Sequence, residues 1–303
     1  MRIGIDLGGT KIAAVALKTD GTQLADFHAL VPHSYAGTRD LLLKAVSDLE
    51  AASGQTASAV GLSMPGAITA TGEVLRAVNL PWMVQQPLKT DLAEQLGRPV
   101  GVANDANCFA LSEAYDGAAA GADAVFGVIL GTGVGGGLVV NGRALAGANA
   151  IAGEWGHNPL PWRKRGDGPT ARCGCGRMGC IESWLNGSAL ARDHARLSGQ
   201  NLDAPAVVER AVAGDAHARH AMERYHDRLA RALASIVNLV DPDVIVLGGG
   251  LSDVTSLYDK VPPRMDHYTQ VAAPATRLVR ARHGPASGMR GAARIVPAGP
   301  ATG

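Results

Sequence analysis

Three strands that each run directly into a glycine-rich turn set the strongest limit on how this chain can fold. The turns span residues 8–9, 131–137 and 248–250, and each follows an apolar or alternating run typical of a strand. The 39 glycines follow no three-residue period, which excludes a collagen-like chain. A turn of glycine and threonine leaves backbone N–H groups uncovered, so phosphate oxygens can bind directly to it. Three such turns after strands favour nucleotide binding.

Two common nucleotide-binding motifs do not fit these turns. The spacing Gly131-x-Gly133-x-x-Gly136 resembles a dinucleotide-binding fingerprint, with Glu154 near the distance expected for a ribose contact. That fingerprint must open a helix, whereas residues 137–145 predict a hairpin with an Asn-Gly turn. No Gly-x-x-x-x-Gly-Lys-Ser/Thr sequence occurs either. The sequence therefore argues against a nicotinamide site and against a P-loop NTPase.

Strands alternate with helices along the chain, which predicts an α/β fold. Residues 4–10 (GIDLGGT) align without gaps on residues 127–133 (GVILGTG), each a strand that enters a small-residue turn. Duplication of one half of the fold would produce this match, and a chance similarity between two glycine-rich strand ends is the alternative. Helices are predicted over residues 38–52, 87–96, 104–120, 182–197 and 216–240.

Composition excludes several classes of protein. Apolar residues make up 47% and charged residues 18%, a globular balance that excludes a disordered chain. The net charge of +1 gives no electrostatic case for a nucleic-acid or acidic-membrane partner. The longest apolar stretch, residues 124–140, is interrupted by glycines and predicts two strands, since a membrane helix needs about 20 apolar residues. The first residues do not have the pattern of a secretory signal, so we expect a cytoplasmic protein.

A cluster of one histidine and three cysteines predicts a metal site. His157, Cys173, Cys175 and Cys180 give the pattern His-x15-Cys-x-Cys-x4-Cys. Three thiolates and one imidazole form a closed tetrahedral zinc set, so the site is expected to be structural. Disulfides fit neither the odd count nor the expected compartment. Cys108, in an apolar helix, is expected to be simply buried.

Two aspartates at strand ends are candidates for chemistry. Asp6 ends the first strand beside the first turn, where its carboxylate could hold Mg²⁺ through water, or could only cap the turn. Asp105 lies where a strand ends and a helix begins. Phosphoryl transfer needs one base to take the proton of the attacking hydroxyl, and Asp105 is the candidate. The alternative is that it only caps the helix.

Seven segments occur in the order seen in the ROK family of sugar kinases and repressors, and together they cover essentially the whole chain. The segments are residues 6–11 (DLGGTK), 64–66 (MPG), 104–107 (NDAN), 130–137 (LGTGVGGG), 153–157 (GEWGH), 173–182 (CGCGRMGCIE) and 248–250 (GGG). The chain therefore resembles this family, most of all its fructokinase and N-acetylglucosamine kinase branches.

The resemblance implies an actin-like, ribonuclease-H-like duplicated fold with two α/β lobes and a cleft between them for sugar and ATP. We expect a smaller lobe over residues 1–113 with 286–303, and a larger one with the zinc loop over 114–285. The resemblance also implies a homodimer. Because the glycine-threonine turn begins near residue 6, no DNA-binding segment is expected ahead of it, which favours a kinase over a repressor.

The resemblance also assigns roles to single residues. Asp105 would be the base that activates the sugar 6-hydroxyl, and Asp6 would help to place Mg²⁺. The residues expected at the phosphates and adenosine of ATP are Gly8, Gly9, Thr10, Lys11, Gly131, Thr132, Gly133, Gly135, Gly136, Gly248, Gly249 and Gly250. Those expected at the sugar are Gly66, Asn79, Asn104, Asp105, Glu154, His157 and Glu182. His157 would ligate zinc with one ring nitrogen and face the sugar with the other.

The sequence thus predicts an ATP-dependent hexose kinase with Mg²⁺ and structural zinc, acting on the 6-hydroxyl of fructose or mannose. Residues 154–162 look more like the fructokinase branch, whereas 131–140 and 172–182 look equally like the N-acetylglucosamine branch. An N-acetylglucosamine kinase and a broad-specificity glucokinase are therefore the alternatives. A sugar-sensing protein of the same family without a DNA-binding domain is the alternative outside enzymes.

Overall fold

The protein, described here by a computed structural model over residues 1–296, divides into two compact units. Among the described residues, the first contains 1–121, 137–153 and 282–296, and the second contains 122–136 and 154–281. The lobe limits expected from the sequence stay a prediction, and residues 297–303 of that expectation lie outside the described residues. Within the described residues, no helix has the length and apolar character needed to cross a membrane.

Strands and helices alternate as predicted for an α/β protein. The strands are β1 (Arg2–Leu7), β2 (Lys11–Leu17), β3 (Gln23–Leu30), β4 (Val60–Met64), β5 (Ala67–Ile68), β6 (Val74–Arg76), β7 (Val100–Asn104), β8 (Ala124–Leu130), β9 (Val134–Val140), β10 (Arg143–Ala144), β11 (Val244–Gly248) and β12 (Arg277–Arg280). The α-helices are α1 (Tyr35–Ser53), α2 (Leu88–Leu96), α3 (Asp105–Tyr115), α4 (Glu182–Leu185), α5 (Gly187–Ser198), α6 (Ala204–Val212), α7 (Ala216–Val240), α8 (Ser256–Lys260), α9 (Pro262–Met265) and α10 (Ser287–Ala292).

The two five-stranded sheets have the same topology. Their orders are β3-β2-β1-β4-β7 and β10-β9-β8-β11-β12. In the first sheet, β1 pairs parallel with β4, and β4 pairs parallel with β7. In the second sheet, β8 pairs parallel with β11, and β11 pairs parallel with β12. At the opposite edge of each sheet the two outermost strands pair antiparallel: β2 with β3 in the first sheet, and β9 with β10 in the second. The aligned turns follow β1 and β8, so the duplication suggested by residues 4–10 and 127–133 is confirmed by the fold.

A row of glycines lets helix α10 lie directly on the first sheet. Gly4, Gly61 and Gly101 are opposite one another on β1, β4 and β7. A methyl group on Gly61 would lie 1.7 Å from the carbonyl oxygen of Ala292, and one on Gly4 would lie 1.9 Å from that of Met289. Only glycine permits backbone to approach this closely. Part of the high glycine content therefore serves packing rather than ligand binding.

Several helix limits differ from the sequence-based prediction. Helix α1 is capped by Ser34, whose hydroxyl accepts from the N–H of Gly37. Thr38, the predicted cap, instead donates its hydroxyl to Pro32 O and accepts from the indole of Trp82. Helix α3 ends at Tyr115 rather than near residue 120. In α1, the cap is therefore Ser34, four residues before the predicted position, and Thr38 lies inside the helix.

The helix predicted over residues 182–197 is interrupted. Asn186 has an extended backbone (φ −76°, ψ 164°) and separates α4 from α5. Its side-chain oxygen accepts from the N–H of Ala189, so it caps α5. An asparagine competes for backbone N–H groups through its side chain, which is the reason for the break.

Candidate functional site

Asp105 is the first residue of α3, directly after β7. The N-cap is its neighbour Asn104, whose side-chain oxygen accepts from the N–H groups of Ala106 and Asn107 at 2.9 and 3.2 Å. The amide group of Asn104 donates to the carbonyl oxygen of Gly66 at 2.9 Å. Asp105 Oδ1 accepts from the N–H of Ala106 at 2.9 Å. Because Asn104 caps the helix, Asp105 is not needed for that role.

The carboxyl groups of Asp105 and Asp6 have unusual electrostatics. Burial raises the pKa of Asp105, and hydrogen bonds from backbone and Asn104 only partly oppose this. Burial also raises the pKa of Asp6, and the negative charge of Asp105 raises that pKa further. The hydroxyl of Ser63, which donates to Asp6 Oδ1 at 2.7 Å, lowers it. Carboxyl groups that repel each other in a desolvated place are typical of functional sites, although structural groups also show such shifts.

Each of the two aligned turns is closed by a backbone hydrogen bond. The N–H of Gly8 donates to Lys11 O at 2.9 Å, and the N–H of Gly131 donates to Gly133 O at 3.0 Å. Within residues 1–296, no group accepts from the N–H of Thr132 or Gly133. The turn after β8 is therefore a short loop of the kind that can bind an anion through the backbone.

The third turn lies against the end of β8. A methyl group on Gly249 (φ +81°) would lie 2.4 Å from the carbonyl oxygen of Leu130. The structure thus brings residues 248–250 beside the turn that follows β8. Gly135 and Gly136, which the sequence predicted in that turn, instead belong to strand β9, because the loop already ends at Gly133.

Of the residues expected at the sugar in the first unit, Gly66 contacts Asn104, and Asn79 lies beside the first turn. Gly66 (φ +131°) could not carry a side chain, because a methyl group there would lie 2.0 Å from Arg76 O. A methyl group on Gly9 would lie 3.0 Å from Asn79 O, so the exposed Asn79 borders the first turn. Lys11 is exposed at the start of β2.

The four predicted metal ligands come together. One ligand atom from each of His157, Cys173, Cys175 and Cys180 lies within 4.8 Å of all the others. The two cysteine sulfurs of Cys175 and Cys180 are 3.7 Å apart, and Cys173 Sγ is 3.5 Å from Nδ1 of His157. A zinc tetrahedron has S···S and S···N edges of about 3.8 and about 3.6 Å. The donor set therefore fits zinc, with His157 binding through Nδ1.

The second nitrogen of His157 lies near Glu154, and the carboxylate of Glu182 lies between Cys173 and the start of β9. His157 Nε2 is 3.7 Å from Glu154 Oε2. Glu182 Oε1 is 3.2 Å from Cys173 Sγ, and its Oε2 accepts from the N–H of Val134 at 3.0 Å. Since a zinc-bound thiolate has no proton to donate, Oε1 would be free for a substrate hydroxyl when the metal is bound.

Sequence reasoning missed residues that hold these parts in place. Ser63 fixes the carboxylate of Asp6, and two buried arginines of α7 fix the segment between His157 and Cys173. Arg231 donates to Trp162 O at 2.9 Å and to Asp167 Oδ2 at 2.9 Å, and Arg228 donates to Asp167 O at 2.6 Å. The sequence could have indicated these arginines only as two charges among the apolar residues of α7. It does not indicate that Asp167 is their partner.

Comparison with known proteins agrees with these features. A family model described as "ROK family" matches residues 2–298. The chain belongs to the ROK family. The N-acetyl-D-glucosamine kinase of Salmonella paratyphi C is 42% identical over 300 residues, which are 97% of this chain and 98% of that protein. The predicted family and the predicted enzyme class, an ATP-dependent sugar kinase, are confirmed.

Two solved structures of ROK proteins are also similar. The ROK hexokinase from Thermus thermophilus has a TM-score of 0.84 and 34% identity, over 97% of each chain. The ROK glucokinase from Streptomyces griseus, in complex with glucose and AMPPNP, has a TM-score of 0.75 and 31% identity, over 97% of this chain and 98% of that chain. The actin-like fold is confirmed, whereas a preference for fructose or mannose is not confirmed by these ROK relatives.

Proposed function

We propose that this ROK kinase transfers the γ-phosphoryl group of ATP to the 6-hydroxyl of N-acetylglucosamine. The observation that carries this choice is the 42% identity to N-acetyl-D-glucosamine kinase along 97% of the chain. Fructose or mannose is the second candidate, supported by residues 154–162, which resemble the fructokinase branch.

The catalytic step in this proposal depends on Asp105. Its carboxylate accepts the proton of the 6-hydroxyl while the sugar oxygen attacks the γ-phosphorus and the bond to the leaving ADP oxygen breaks. Burial supports the role, since a raised pKa makes the carboxylate a stronger base. The turns after β1 and β8 hold the phosphates through backbone N–H groups, and Gly248–Gly250 lie at the adenosine. Mg²⁺, when bound near Asp6, neutralises phosphate charge.

Sugar and zinc share one residue, His157, in the proposal. Gly66, Asn79 and Asn104 in the first unit, and Glu154, His157 and Glu182 in the second, bind the sugar hydroxyls. Zinc on the Cys₃His set orients the last three, because His157 is itself a ligand and the two glutamates contact ligands. Homodimer formation and a cytoplasmic location stay predictions.

We expect N-acetylglucosamine to have the highest kcat/KM in a panel with fructose, mannose and glucose, by at least about tenfold, which is about 1.4 kcal/mol of transition-state binding. The measurement is ADP release in a coupled assay with Mg-ATP. A lead by fructose or mannose would instead support the second candidate. Sugar binding without ADP release would reject the kinase and favour a sensor.

The rate should also depend on pH in a way that reports Asp105. A base acts in its ionised form, and burial raises the pKa of this carboxyl above the ordinary 3.8. We therefore expect kcat/KM to be constant near neutral pH and to fall about tenfold per unit below the raised pKa. The profile is measured from pH 4 to 8, with activity after return to pH 7 as the control for unfolding. A profile still flat at pH 4 would contradict a raised pKa.

A further inference from the structure

The junction between α4 and α5 holds the turn after β8 by its carbonyl groups. The N–H of Gly187 donates to Gly131 O at 3.0 Å, and the side-chain amide of Asn186 donates to Thr132 O at 3.2 Å. Three residues before the end of α4, Glu182 accepts from the N–H of Val134 at 3.0 Å. Three of the four residues in the segment 131–134 are therefore fixed from one place.

The planarity of the peptide bond gives these contacts a direction. The carbonyl of Thr132 and the N–H of Gly133 belong to one trans peptide unit and point in opposite directions. The same holds for the carbonyl of Gly131 and the N–H of Thr132. Holding both carbonyls toward the α4–α5 junction therefore turns both N–H groups away from it. Those are the N–H groups that no residue of the described chain accepts from.

We propose that Asn186 is a positioning residue for the nucleotide: through Thr132 O it orients the N–H of Gly133 toward a phosphate oxygen of ATP. This inference rests on the proposed phosphate role of the turn. Asn186 has two separable functions, since its oxygen caps α5 through the N–H of Ala189 at 2.8 Å while its amide group orients the turn. The sequence gives no sign of the second function, because Asn186 and Thr132 are 54 residues apart.

The two functions can be separated by substitution. Asn186→Ser keeps an oxygen that caps a helix as well as asparagine does, but replaces the amide donor to Thr132 O with a hydroxyl one bond closer to the backbone, which lengthens or breaks the 3.2 Å contact. Loss of one hydrogen bond is expected to weaken nucleotide binding about three- to tenfold. Asn186→Asp also keeps the cap and places a carboxylate oxygen against Thr132 O, so a larger loss is expected. In both variants the KM for sugar and the melting temperature should stay close to wild type.

The experiment measures the affinity for a non-hydrolysable ATP analogue with Mg²⁺ by calorimetry, together with the KM values for ATP and for sugar. Asp215→Ala is the matched control, because it removes the cap of α7 (Asp215 to Ala218 N, 2.8 Å), which takes no part in the contacts that hold the turn. It should lower the melting temperature and leave nucleotide affinity unchanged.

The outcomes distinguish this inference from the proposed function. If the wild type binds nucleotide and turns over but Asn186→Ser has the same nucleotide affinity, the positioning role is wrong and the kinase remains. A parallel rise of both KM values with a lower melting temperature would also reject it, since that indicates a structural role. If the wild type binds no nucleotide, the proposed function fails and this inference fails with it.

Discussion

Replacing Asp105 with alanine is expected to lower kcat by about two to four orders of magnitude, the usual contribution of a general base. Without the carboxylate, nothing else at the start of α3 can take the proton of the 6-hydroxyl, since Asn104 offers an amide already bonded to Ala106, Asn107 and Gly66. The measurement is ADP release at saturating ATP and sugar.

The same substitution should leave the fold intact. A folded-state pKa that is raised for an aspartate means that folding disfavours its ionised form, so at neutral pH this carboxylate costs stability. Its removal should therefore leave the melting temperature equal or higher. Asn104→Ala is the contrasting variant, because it removes the helix cap and should cost about 1 kcal/mol of stability.

These two variants distinguish catalysis from capping. If Asp105→Ala keeps kcat within about threefold of wild type, Asp105 is not the base. If it instead lowers the melting temperature as much as Asn104→Ala does, the carboxylate has a structural role in α3 and the account of its electrostatics is wrong.

Features encoded by near neighbours in the chain could be predicted from the sequence. The hairpin of β9 and β10 follows from Asn141 and Gly142, whose φ angles of +50° and +71° are those an Asn-Gly turn requires. The metal set follows from residue type and spacing alone, since three ligands lie within eight residues. Helix α7 was predicted at its observed limits because its apolar residues recur at helical spacing.

Features that depend on register or on distant partners could not be predicted. The glycine row of Gly4, Gly61 and Gly101 exists only because β1, β4 and β7 pair in one particular register, which no local pattern specifies. Local patterns assign a role to the glycines in the turns after strands, but none to this row. In the same way, the break at Asn186 depends on a choice between helix and cap that local propensity leaves open.

The choice of hexose is also a feature that depends on distant residues. In the proposal, which hydroxyl or acetamido group fits depends on the surroundings of residues such as Asn79 and Glu154, which are 75 positions apart in the chain, and no local pattern specifies such surroundings. Whole-chain identity to N-acetyl-D-glucosamine kinase supports one sugar, whereas residues 154–162 resemble another branch. Only the kinetic comparison of sugars resolves this.

Loss of zinc is expected to have the second largest effect. The freshly purified protein should contain one zinc ion per chain, and Cys175→Ser should contain none, because the closed four-ligand set then lacks one thiolate. Within the segment 173–180, Cys173 N donates to Arg177 O at 2.8 Å and Gly176 N donates to Cys173 O at 2.9 Å, with Gly176 at φ +90°. These backbone bonds remain without the metal, but the link that the ion makes between His157 and this segment is lost.

The consequence should appear in sugar binding. His157 is itself a ligand, and Glu154 and Glu182 contact His157 and Cys173, so the loss of zinc removes one restraint on each of the three. We expect the affinity for sugar to fall by at least about tenfold in Cys175→Ser and in chelated wild type, and added zinc to restore only the latter. Calorimetry with the preferred hexose measures this, and elemental analysis measures the metal.

Cys108→Ala is the matched control for this prediction. Cys108 is the one cysteine outside the metal set and is buried in α3, so its removal should leave the zinc content at the wild-type value. Fresh protein without zinc would reject the metal site outright. Zinc present in wild type but lost from Cys175→Ser with unchanged sugar affinity would keep the site and reject its link to Glu154, His157 and Glu182, because orientation of those side chains is the only path from the metal to the sugar that these contacts provide.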